Sequence, residues 1–187
     1  GLAQEPERVA AILRAIVQQM RPWIGAIGET RLSIDIHEAA CDPGVVSPDI
    51  FESVIAPAVA ELAALARQAT QRAPSLFIDG DTASIAAVMA GTGAGYVNCP
   101  DTTAQTGFLA RIRSFTEVTV RVELPRGIWT GGDWPAVCRE IASRAGVARL
   151  HARTVLGAGP LPLRASSVLV VDACHFATNM DPWLEPA

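Results

Sequence analysis

Residues 75–99 read SLFIDGDTASIAAVMAGTGAGYVNC, and the fold turns on this stretch. Ser75-Leu76-Phe77-Ile78 is a short apolar run that stops at Asp79-Gly80-Asp81. Thr82 to Ala90 is Ala-rich with helical spacing, and glycines at 91, 93 and 95 halt it before Tyr96-Val97 opens a second apolar run. Strand, helix, strand is the unit of a parallel sheet, with a connection long enough for a right-handed crossover between neighbours.

Toward the N-terminus, Thr30 to His37 alternates, with Leu32, Ile34 and Ile36 on one face and Arg31, Ser33 and Asp35 on the other, which predicts a half-buried strand. Ahead of it, Val9, Ile12, Leu13, Ile16, Val17 and Met20 fall at spacings of three and four, a helical stripe expected to stop at Arg21-Pro22. Ser47-Pro48-Asp49 has the cap, the first-turn proline and the early acid of a helix start; that helix continues to about Arg72, with Pro57 expected to kink it. Toward the C-terminus, period-two alternation from Phe115 to Leu124 predicts a strand, and Trp134 to Ala145, capped by Asp133, a helix. Val147 to Leu156 and the apolar run Ser167 to Val171 are read as the last two strands. The expected fold is therefore α/β, a single-layer mixed, mostly parallel sheet of about five to six strands flanked by helices, with residues 1–187 forming a single soluble α/β domain.

Half of the 187 residues are hydrophobic and 18% are charged, enough for a core without disulfides or a structural metal. A net charge of −4 and the lack of any basic run exclude nucleic acid and anionic membrane surfaces as partners. No uninterrupted apolar stretch approaches the roughly 18 residues of a membrane span, and a cytoplasmic location is expected. All 15 basic residues are Arg, so Schiff-base chemistry, a phosphate-loop lysine and a lysine base are excluded together. Cysteines at 41, 99, 138 and 174 form no CxxC pair, and reduced thiols follow.

Parallel sheets bind ligands beyond the carboxyl ends of their strands. There the expected strands run into Asp35, His37, Glu38, Cys41 and Asp42, then Asp79 and Asp81, then Asn98, Cys99 and Asp101, and finally Asp172, Cys174 and His175. Adjacent parallel strands would gather these groups on one rim; the same residue types also serve turns. His37, Cys41 and Cys174 are the residues most able to hold a soft divalent metal such as zinc. Asp79 and Asp81 suit Mg²⁺ with a phosphorylated ligand, with Cys99 beside them in a cofactor-binding set. Gly91-x-Gly93-x-Gly95 lacks the spacing and context of a dinucleotide loop, and reads as a helix stop with close backbone packing. Trp23, Trp129, Trp134 and Trp183 fall in or beside expected loops, the middle pair flanking a candidate flap at residues 130–133.

Val168 to His175, VLVVDACH, resembles the strand that presents the nucleophilic cysteine in caspase-like peptidases, where Asp-Ala-Cys is often followed by His-Ser-Gly. Here Phe176-Ala177 replaces Ser-Gly and no upstream His-Gly pair is present. The resemblance implies Cys174 as nucleophile, with His37 or His151 as base and Asp172 and His175 beside it. A second stretch, DTASIAAVMAGTGAGYVNCP, is similar to part of the ligand-binding domain of LysR-type regulators, which implies small-molecule binding. The reading preferred from the sequence is a small-molecule-binding α/β domain with a polar Asp/His/Cys cleft that admits hydrolytic chemistry. Its alternatives are a cysteine-nucleophile or metal-dependent hydrolase, and a non-catalytic interaction module meeting a protein partner or a second copy.

Overall fold

The computed structural model describes residues 4–30, 32–131, 133–159 and 161–179. Five strands, β1 (Asp35–His37), β2 (Ser75–Phe77), β3 (Tyr96–Cys99), β4 (Thr119–Glu123) and β5 (Thr154–Gly157), pair in chain order. Every pairing is parallel, so the sheet is not mixed. Around it run α1 (Pro6–Gly28), α2 (Pro48–Ile50), α3 (Ala56–Thr70), α4 (Ala86–Gly91), α5 (Gln105–Arg111), α6 (Trp134–Ala148) and α7 (Ser167–Thr178). None of the described helices is long and apolar enough to cross a membrane.

Each connection steps one strand in the same direction, and right-handed crossovers then set the helices on one face. This is the winding of a (β/α) barrel, carried through five strands; a doubly wound sheet would reverse its strand order and place a crevice at the reversal. The pleat decides what each face carries. Ile36, Leu76, Val97, Cys99, Val120 and Val122 are buried among helix residues such as Phe51, Val59, Leu62, Met89 and Phe108. The alternate positions, Asp35, His37, Phe77, Tyr96, Asn98, Arg121 and Glu123, line the face without helices.

Several expected features are corrected. The run from Ser167 to Val171 is the first part of α7, not a strand. A five-residue apolar run does not separate strand from helix; Ser166 decides, because its hydroxyl accepts the Leu169 N–H at 3.3 Å and Leu169 and Ala173, four apart, bury against α6 and Trp129. Likewise α6 runs on to Ala148, and only Thr154–Gly157 of the expected strand is laddered. The first strand is shorter than its alternation suggested; Leu32 is exposed, and Arg31 lies outside the described residues. The first helix passes Pro22 and ends at Gly28, since Ile24 beyond the proline is buried in the core. Pro57 is absorbed by a π turn over Phe51–Ile55, whose closing bond runs from the Ala56 N–H to the Phe51 carbonyl.

Two buried amides pin the carboxyl ends of the strands. Asn98 donates from Nδ2 to the Ile78 carbonyl at 3.0 Å and accepts the Ile78 N–H at 2.9 Å, extending the β2–β3 ladder beyond its backbone pairing. Gln105 donates to the Glu123 carbonyl at 2.9 Å and to the Cys99 and Pro100 carbonyls, while its oxygen accepts from Arg144.

The α1–α3 contact yields a paired test. A Cβ on Gly28 would meet the Ala69 carbonyl oxygen at 2.6 Å, whereas at Gly25 nothing lies within 4 Å. Gly25→Ala is expected to raise the unfolding free energy by about 1 kcal/mol through helix propensity. Gly28→Ala is expected to lower it by about 1–3 kcal/mol because the helices must part. Urea unfolding of both variants checks the opposite signs.

Candidate functional site

The face without helices carries a connected set of charged and aromatic side chains. His37 on β1 stacks on Phe77 of β2, ring centroids 4.7 Å apart and planes 18° from parallel. The Arg121 guanidinium of β4 lies over the same Phe77 ring at 5.9 Å, a cation–π contact, and its charge acts on the Tyr96 hydroxyl. Parallel pairing builds this set: Asp35, Ser75 and Tyr96 share one row across the sheet, and His37 with Phe77 shares the next with Asn98 and Arg121. Gly157 of β5 completes the geometry, since a Cβ there would overlap the Arg121 side chain from Cγ to Nε. The missing side chain is the space that the arginine stem occupies.

Glu123 closes the set. It is 5% exposed, and burial pushes its carboxyl up, opposed by Arg121 and Arg126 and by a hydrogen bond from Asn98, with Asp101 adding to the rise. Burial likewise raises the Tyr96 hydroxyl, against the pull of Arg121. A cation, a phenol and a partly desolvated carboxyl thus sit together on one open face, which suits anion binding with proton transfer close by.

Beyond the strand ends lies a rim of turns. The Arg126 guanidinium reaches Asp79 at 4.0 Å, the Arg126 backbone N–H donates to the Asp101 carboxylate at 3.1 Å, and the Thr102 and Thr103 hydroxyls both donate to the Gly80 carbonyl at 3.0 Å. Gly80 adopts φ +84° with the Asp42 carboxylate pressed against it, so only glycine fits.

The sequence candidates separate into groups. Asp35 and His37 belong to the open face. Asp79 and Asp81 are on the rim, where Asp81 accepts the Ala83 N–H at 3.2 Å and so serves a helical turn. Cys99 points the other way, into the core under the helices, and burial raises its thiol strongly. Cys41 lies in a turn under α1, where its thiol donates to Glu38 at 3.8 Å. Asp172, Cys174 and His175 are on α7, which packs on α6 beside β5, while β1 is the opposite edge of the sheet. The strand-end nucleophile is therefore corrected to a helix surface, and Cys174 is not brought to His37 or Cys41. His151, the other base considered, has both ring nitrogens engaged by the backbone of Arg153 and Phe115. Among the described residues no group of three or more His, Cys, Asp or Glu is placed to hold a metal. Trp129 is a core residue donating to the Ala158 carbonyl at 3.2 Å, Trp134 packs edge-on against Phe176, and Trp23 is exposed. Trp183 and Gly132 of the expected flap lie outside the described residues.

Tyr96, Arg121 and Glu123 were not singled out as site residues. Their signal is the alternation Thr119-Val120-Arg121-Val122-Glu123, two charges on one face of a strand whose other face is apolar.

Winding and face together define an α/β protein whose open sheet surface carries an arginine–tyrosine–glutamate set. No family model matches the chain, and no curated protein matches it. Among solved structures, a methyltransferase from Methanosarcina mazei is similar with a TM-score of 0.67 at 15% identity, covering 87% of this chain and 46% of that one. At that identity the likeness is one of fold, and this chain spans less than half of the neighbour's length.

Two outcomes follow. Iodoacetamide under native conditions is expected to modify exposed Cys174 first and half-buried Cys138 next, leaving Cys41 and Cys99 for denatured protein, as read by peptide mass mapping. Because the Glu123 carboxyl is raised in the fold, the protonated form is the favoured one, so its stability contribution falls as pH rises from the ordinary glutamate value through the raised one. Glu123→Gln should therefore match the wild type near pH 4 and become the more stable of the two by pH 7; denaturant melts giving a constant difference would contradict this.

Proposed function

We propose that the chain binds a small anionic molecule, a carboxylate or phosphate, on its open sheet face. Arg121 is the anchor, since its planar guanidinium pairs with two anion oxygens at once and is already held over Phe77. Tyr96 supplies a further donor, and Glu123 gives or takes a proton at the atom next to the anchored group. The observation that carries this reading is the Arg121 stem lying across Gly157 with its head over Phe77, a cation fixed in place on a face without helices. Likeness in fold to a methyltransferase supports a small-molecule site on this winding and assigns no reaction. The cysteine-nucleophile reading is set aside, since Cys174 on α7 has no imidazole from the sheet beside it.

The test uses succinate and pyrophosphate as probes in thermal unfolding. At about 10 mM, at least one is expected to raise the melting temperature of the wild type by several degrees through linkage. Arg121→Gln should abolish the rise, and Gly157→Ala, which displaces the guanidinium without removing it, should weaken it. An unchanged wild type, or an Arg121→Gln protein that responds equally, would sink the proposal.

A further inference from the structure

Between α1, α3 and the turn after β1 lies a cavity of about 270 Å³, away from the open face and outside the function proposed above. Leu13 and Val17 of α1 and Val59 and Leu62 of α3 contribute to its apolar wall. The wall has two polar interruptions, the carboxyl of Glu38 and the thiol of Cys41. The volume is near the lower end of the ~300–1,000 Å³ range of small-molecule sites, and an apolar lining with very few polar groups is their usual make-up.

Glu38 is the informative group. Its backbone N–H is spent on the Phe77 carbonyl at 2.9 Å, which fixes the residue at the end of β1. Among the described residues no Arg or His forms an ion pair with its carboxyl, and the neighbour that hydrogen-bonds it is the Cys41 thiol. A carboxylate partly removed from water with no cation beside it is an unmet electrostatic demand, and burial accordingly pushes the Glu38 carboxyl up. The thiol is a weak donor and is itself pushed up to about 12 by burial and by Glu38, so it supplies no compensating charge.

From this juxtaposition of an apolar chamber and a carboxylate with no ion-pair partner among the described residues we propose that the cavity is a binding site for a hydrophobic amine, an alkyl- or arylalkyl-ammonium ion. Its hydrocarbon part lies between α1 and α3, and its ammonium group pairs with Glu38. The complementarity is specific in sign: a fatty carboxylate of the same length meets the Glu38 charge and is repelled, and a neutral alcohol gains only the apolar contacts. Entry is beside Ile16 and Met20, cavity-lining residues of α1 that are 47% and 39% exposed.

The experiment is isothermal titration calorimetry of the protein at about pH 8, well above the ordinary glutamate range, with n-hexylammonium chloride, n-hexanol and sodium hexanoate in turn. Hexylammonium is expected to bind one to one and at least tenfold tighter than hexanol, with hexanoate silent. Glu38→Gln, close to isosteric, should bring hexylammonium to the affinity of hexanol. Leu13→Trp should fill the chamber and abolish both. Should that variant not fold, the Glu38→Gln comparison decides alone. Lack of saturable hexylammonium binding up to about 10 mM, equal affinities for amine and alcohol, or an unaltered preference in Glu38→Gln would overturn the proposal. So would sedimentation showing a dimer that loses self-association on Met20→Glu, because a second copy would then be the occupant.

Discussion

One-sided burial of a parallel sheet is the constraint on which the rest of this structure depends. With every crossover stepping in the same direction, the helices have a single face to cover. Fully burying a Val, Leu or Ile side chain is worth about 1.5–3 kcal/mol, and the wholly enclosed Leu76, Val97, Val120 and Val122 all lie on that face. Their pleat partners are thereby released from serving the core. Tyr96, Asn98, Arg121 and Glu123 can be polar only because Val97, Cys99, Val120 and Val122 are not.

Removing strand ends from water creates an obligation of its own, since buried carbonyl and N–H groups must find partners. Asn98 and Gln105 discharge it with side-chain amides in place of backbone ladder, and among the described residues no buried side-chain nitrogen or oxygen lacks a partner. This places rigid polar anchors directly beneath the candidate site. Asn98 joins the end of β2 to β3, and the same amide favours the charged form of Glu123. Gln105 ties the end of β4 to that of β3.

The winding was legible wherever pattern and punctuation agreed. The strand, helix, strand reading of residues 75–99 corresponds to β2, α4 and β3, and the alternation around Val120 to β4. The C-terminal run failed because Ser167 to Val171 carries β-branched residues that fit a strand as well as a helix, and only the Ser166 cap and the contact of Leu169 with α6 discriminate. The candidate site was half legible for a related reason. Asp35 and His37 stood out as polar residues in a strand, but period two cannot say which of Asn98 and Cys99 faces the helices until the helices are placed. Cys99 is therefore a ligand candidate in the sequence although it is core, while the alternation from Phe115 to Leu124 marks Arg121 and Glu123 only as positions of a strand.

The absence of lysine sharpens the meaning of Arg121. A lysine ammonium in its place would be a compact, strongly hydrated point charge on a flexible stem, free to leave the sheet for water. A guanidinium is planar and weakly hydrated, so it can lie on Phe77 and still present an edge outward. That geometry requires room along the stem, and the room comes from a neighbouring strand: Gly157, the last residue of β5, has no side chain where the arginine crosses. Glycine in a strand ordinarily weakens it. Here the lost packing on β5 offsets the cost of fixing a long cationic side chain on β4. The two positions are diagonal across the sheet: Gly157 is paired with Glu123 and Arg121 with Val155, so the arginine stem leans forward by one pleat to cross the glycine.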